Sequence, residues 1–161
     1  MELLDLALSL EYDLQGYYRK QAELNEGNSV QAVFTLLQKE EEKHAMILKS
    51  YADKIELPLT DSNILSEVQA IFKDLPDFKS EIKIMATQLD VYRLALEKEE
   101  QSKEFYQELF DRSSQEQSKK VFGYLINQED KHCVLLEEFV KRVSRPEEWV
   151  ESAEFTFREP Y

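Results

Sequence analysis

Apolar residues recur at intervals of three and four from about Leu3 to Leu24, the spacing that keeps one stripe of a helix turned toward a core. The period breaks at NEGNS, residues 25–29, where Gly27 is fit to end one helix and Asn28 or Ser29 to cap the next. A second stripe runs from Val30 to Tyr51, and Pro58 closes that region. A third runs from about Thr87 to Phe110. Ser114 and Gln117 have the spacing of a capping box and predict a fourth helix lasting to about Val143. Between the second and third lies a connector of about 35 residues, with one short amphipathic piece, SNILSEVQAIFKDL, ended by Pro76.

Short turns within each pair of long helices, and one long link between the pairs, predict two antiparallel hairpins joined by a crossover. The expected fold is an all-α four-helix bundle over residues 1–144 with a short extra helix in the link. The remainder, residues 145–161, is an aromatic tail expected to pack on the bundle or on a second subunit.

Composition supports this and narrows the partners. Only 3 glycines and 4 prolines punctuate 161 residues, which favours long uninterrupted helices. With 33 acidic against 20 basic side chains the net charge is −13, so a nucleic acid or an anionic membrane is not an expected partner. No apolar run approaches the roughly 20 residues that span a bilayer. The start, MELLDLALSLEYD, carries acids where an export signal carries positive charge. The single cysteine, Cys133, excludes an internal disulfide and a four-thiolate metal site; it is expected in the core of a chain kept in the reducing cytoplasm.

Laid on itself at an offset of 88, the chain repeats. VFTLLQKEEEKHAMIL, residues 33–48, aligns without gaps to VFGYLINQEDKHCVLL, residues 121–136, with 7 of 16 positions identical; ordinary composition gives roughly one. At the same offset Ala7 falls on Ala95, Glu11 on Glu99, Tyr18 on Tyr106 and Pro58 on Pro146.

The repeated residues carry the chemistry. Glutamate and histidine three apart lie about 60° apart on a helix and converge on one ion, which holds for Glu41 with His44 and for Glu129 with His132. Taken singly, each is an ordinary surface residue in so acidic a chain, and Glu40, Glu42, Glu97, Glu100 and Asp130 are read as surface charge. Together they differ: the chain's 2 histidines both follow a glutamate by three, at the repeat offset, with Glu11 and Glu99 upstream. If these faces point inward, four buried carboxylates need neutralising, and two divalent cations balance them. Oxygen and imidazole donors suit iron or manganese rather than structural zinc. Tyr18 and Tyr106, each seven beyond its glutamate, are core aromatics or else hydrogen-bond to the ligand carboxylates near bound oxidant.

Glu11, Glu41-x-x-His44, Glu99 and Glu129-x-x-His132, in that order, resemble the ferritin-like, rubrerythrin-type di-iron proteins over the four helices. The resemblance implies two iron ions bridged by Glu41 and Glu129, with Glu11 and Glu99 as terminal carboxylates and one histidine on each iron. It implies redox work on hydrogen peroxide or dioxygen, peroxide reduction to water leading. Full-length rubrerythrins add a four-cysteine rubredoxin domain that this sequence lacks, so a separate electron donor such as a rubredoxin-like protein is expected. Where the family has an extra carboxylate three places beyond the third-helix ligand, this chain has Ser102. A homodimer is expected. Iron oxidation and storage, an oxygenase acting on an organic substrate and a metal-free structural bundle stand as alternatives.

Overall fold

A computed structural model describes residues 2–75 and 77–144, so the aromatic tail and the breaker Pro76 lie outside the described residues. Four long helices form the bundle: α1 (Glu2–Leu24), α2 (Ser29–Ala52), α5 (Leu89–Arg112) and α6 (Glu116–Val143). The first two pack as one hairpin and the last two as the other, with the hairpins meeting through α1 against α5 and α2 against α6. Among the described residues there is no strand, and no helix is long and apolar enough to cross a membrane.

Local signals set most of the boundaries. Gly27 adopts φ +89°, a left-handed conformation suited to glycine, and ends α1. Asn28 caps α2, its side chain accepting from the backbone of Val30 and Gln31. At the other end of α2, Ile55 N–H donates to Ser50 O at 2.7 Å and Lys54 N–H to Tyr51 O at 3.1 Å. This is a Schellman closure whose left-handed residue, Lys54 at φ 59°, is not glycine.

Three expectations are corrected. The link holds two short helices, α3 (Ile64–Lys73) and α4 (Phe78–Ala86), where one was expected. Asp77 caps α4, Ile82 and Met85 enter the core from it, and its Glu81 carboxylate accepts from Ser29 Oγ at 2.6 Å, fastening it to the start of α2. Such a nine-residue helix is too short to announce itself by periodicity. The third long helix starts at Leu89 rather than Thr87 and continues to Arg112. The fourth starts at Glu116 behind Gln115, which makes no side-chain cap, so Ser114 forms no capping box. That register puts Ser118 at the third helical position, where its Oγ lies 2.5 Å from Tyr51 OH across the bundle.

The buried stripe of α1 reads Leu4, Ala7, Glu11, Leu14, Tyr18, Ala22, and that of α5 reads Tyr92, Ala95, Glu99, Ser102, Tyr106, Leu109. A glutamate therefore sits at a core position in each. The apolar core is correspondingly split in two. One cluster gathers Leu14, Tyr18, Phe34, Leu37, Leu135 and Phe139, the other Ala7, Leu48, Tyr106, Phe122 and Leu125. Every long helix passes from one cluster to the other through a polar layer.

Candidate metal centre

That layer contains Glu11, Glu41, His44, Glu99, Glu129 and His132, each no more than 1 % exposed. The shortest contacts run between hairpins, longer ones within them. His44 Nδ1 lies 2.8 Å from Glu129 Oε1, 3.3 Å from Glu41 Oε2 and 3.6 Å from Glu11 Oε2. His132 Nδ1 lies 2.8 Å from Glu41 Oε1 and 3.1 Å from Glu99 Oε1. The imidazoles stack with ring centres 5.6 Å apart. Tyr18 OH donates to Glu99 Oε1 at 2.5 Å, and Tyr106 OH donates to Glu11 Oε1. All eight residues singled out by the repeat thus meet in one place.

Burial and mutual charge divide the carboxylates into two kinds. Burial, reinforced by the neighbouring glutamates, pushes Glu41 and Glu129 well above the usual carboxylate range. Burial acts the same way on Glu11, but the close approach of Glu41 and the charge of His44 outweigh it and bring this carboxyl down. Glu99 is likewise opposed by burial and falls to about 2 through the charge of His132, the nearness of Glu129 and the hydrogen bond with His132. Burial disfavours the imidazolium of His44, yet Glu11 and Glu129 raise it to about 10; Glu99 and the hydrogen bonds that the ring donates to Glu40 and Glu41 raise His132 well above its ordinary value against the same opposition. The shifts favour Glu11 and Glu99 as carboxylates, Glu41 and Glu129 as acids and both histidines as imidazolium ions, which draws the charge of the metal-free layer toward zero. Burial first, then the nearest glutamate, keeps both tyrosines protonated and able to donate.

The donor set fits a pair of cations. One oxygen on each carboxylate, Oε2 of Glu11, Glu41, Glu99 and Glu129, is buried with no hydrogen-bond partner, a costly state for a polar atom that ligation relieves. The donor atoms fall into two sets, each within 4.8 Å: Glu11, Glu41, His44 and Glu129, and Glu41, Glu99, Glu129 and His132. Glu41 and Glu129 belong to both.

The family model for rubrerythrin matches residues 2–140. This chain belongs to the rubrerythrin family. No curated protein and no solved structure matched it. The family and the buried cluster together are compatible with a di-iron site.

Two features escape the sequence pattern. Glu40, expected as surface charge, instead reaches His132: its Oε1 lies 2.8 Å from Nε2, the ring nitrogen turned away from the layer. Its only advance signal is its place one residue before the first Glu-x-x-His. Asp130 is half-buried and pairs with Lys103 at 2.7 Å, whereas Glu42, Glu97 and Glu100 are exposed as expected. Loop residues 60–62 press against the same side of the layer, and a loop has no periodicity to read. Ser102 is buried one turn beyond Glu99, with its hydroxyl unpartnered. Cys133 is a buried free thiol, pushed up to about 12 chiefly by burial, as befits an inert core residue.

Proposed function

We propose that the chain is a non-haem di-iron oxidoreductase that reduces hydrogen peroxide, with dioxygen as the alternative oxidant, using electrons from a separate donor such as a rubredoxin-like protein. The observation that carries this reading is the pair of four-residue donor sets sharing Glu41 and Glu129. Glu11, Glu41, His44 and Glu129 would hold one iron ion, and Glu41, Glu99, Glu129 and His132 the other. Manganese suits the same donors. When bound, the metal pair polarises the O–O bond and supplies the two electrons that split it.

The protein's part is to keep the donors fixed. Tyr18 and Tyr106 hold Glu99 and Glu11 by their hydroxyls, so each terminal carboxylate presents its other oxygen to the layer. The apolar clusters above and below exclude water from the layer, which strengthens every charge interaction within it. A cavity of about 590 Å³ lies between the end of α2 and the start of α6, lined by Ile47, Tyr51, Ile55, Leu57 and Val121, and includes none of the six donor residues.

Anaerobic stopped-flow of the iron(II)-loaded protein with peroxide tests the reading. Oxidation much faster than that of free ferrous iron is expected, with a homodimer on size-exclusion chromatography. Oxidation at the free-ion rate removes the peroxidase, and a large hollow assembly favours iron storage.

A further inference from the structure

The two halves of the chain match at all six donor positions but differ at the position just before each Glu-x-x-His motif. Residues 40 and 128 correspond at the repeat offset, each one place before a Glu-x-x-His motif. On the His132 side Glu40 stands behind the imidazole, with Oε1 2.8 Å from Nε2 and Oε2 accepting from Ser62 Oγ at 2.6 Å. Its counterpart is Gln128, and the amide of Gln128 donates to Asp61 Oδ1 at 3.1 Å. The crossover explains the difference. Among the described residues, the crossover lays a loop over one half of the bundle.

That loop is firmly attached. Lys43 Nζ donates to Thr60 Oγ1 at 2.6 Å and Thr60 O at 3.2 Å, and Tyr124 OH donates to Thr60 O at 2.5 Å. Lys131, only 7 % exposed, pairs with Asp61 and donates to Ser62 O at 3.2 Å. Ser62 is thereby fixed, and through it Glu40, whose two oxygens are both engaged.

We propose that Glu40, held by the crossover loop through Ser62, is a positioning residue that makes the two metal positions unequal, the one at His132 binding its ion more tightly than the one at His44. The inference rests on the two-metal reading of the centre. A carboxylate accepting from Nε2–H fixes the tautomer that leaves Nδ1 free for a metal, holds the ring plane and makes the imidazole a stronger donor. Removing such an outer partner lowers metal affinity by about 10–100-fold. Gln128 turns its amide to Asp61 and brings no carboxylate to the other half. The position at His132 therefore fills first, and a chain given one ion holds it there.

The test is an anaerobic titration of the chelator-treated full chain with Co(II), followed by visible absorption and calorimetry. Wild type is expected to fill in two steps separated by about 10–100-fold in affinity. Glu40→Leu should weaken the tight step by about that factor and leave the weak one in place. Glu40→Gln, isosteric and still able to accept through its amide oxygen, should fall between, and it serves if the leucine variant folds poorly. Adding Glu40→Leu to His44→Ala should weaken the remaining step, whereas adding it to His132→Ala should change nothing. Two equal steps in wild type, or a tight step indifferent to Glu40, overturn the inference while leaving the metal centre intact. Failure of wild type to bind Co(II) overturns the centre itself.

Discussion

Loading the centre with two divalent ions should expel about four protons per chain at neutral pH. Ligation needs all four carboxylates ionised and both Nδ1 atoms bare. In the metal-free layer the raised values of Glu41, Glu129, His44 and His132 favour their protonated forms, so each of these groups should give up one proton. Glu11 and Glu99 are already ionised and give none. The layer thus passes from one neutral state to another, four protons exchanging for two dications. At two protons per ion, affinity should rise about 100-fold per ion for each pH unit, or about 2.7 kcal/mol. The sign follows from the raised values: protons held only by the metal-free form are released on binding, so binding strengthens as pH rises. The window opens above the low value of Glu99, about 2, and the histidine share persists up to about 10 for His44. Calorimetry with Mn(II) in buffers of different ionisation enthalpy counts the protons directly. Release of one proton or fewer per ion, with affinity flat between pH 6 and 8, would refute the assigned charge states and with them the neutrality argument.

The metal-free protein should itself respond to pH. His44, raised from 6.5 to about 10, contributes stability that is full below pH 6.5 and fades as pH climbs toward 10, so the melting temperature in chelator should fall across that interval. An unchanged melting temperature would show that His44 is neutral in the fold. Asn28→Ala removes the α2 cap and should cost about 1 kcal/mol in urea unfolding, with no change in metal stoichiometry. Lys54→Gly relieves a left-handed residue at the Schellman closure and should raise stability by about 0.5–1 kcal/mol in the same assay; a loss would show that the lysine side chain matters more than its backbone.

The long helices and the six donor residues were legible because both rest on period. Helical spacing places Glu41 and His44 on one face without tertiary information, and the repeat singles out Glu11 and Glu99 from a crowd of surface acids. What stayed hidden depends on tertiary contact. Helix α4 is short, and its packing on α6 is not local. The start of α6 is offset from its capping signal, with Ser118 set against Tyr51. Glu40 looks like its neighbours Lys39 and Glu42 until loop residue Ser62 is placed beside it. A helical wheel assigns it a bearing but not the histidine of another helix.

The crossing of partners between hairpins bears on how the chain assembles. Each hairpin is built from contacts close in sequence and can form early, but it brings two glutamates and one histidine whose partners lie on the other. Docking buries all of them at once, and half a layer leaves unmatched groups facing a dry interior. The joining of preformed hairpins is therefore expected to be the committed event in maturation, at which cations compete with protons for the space between them.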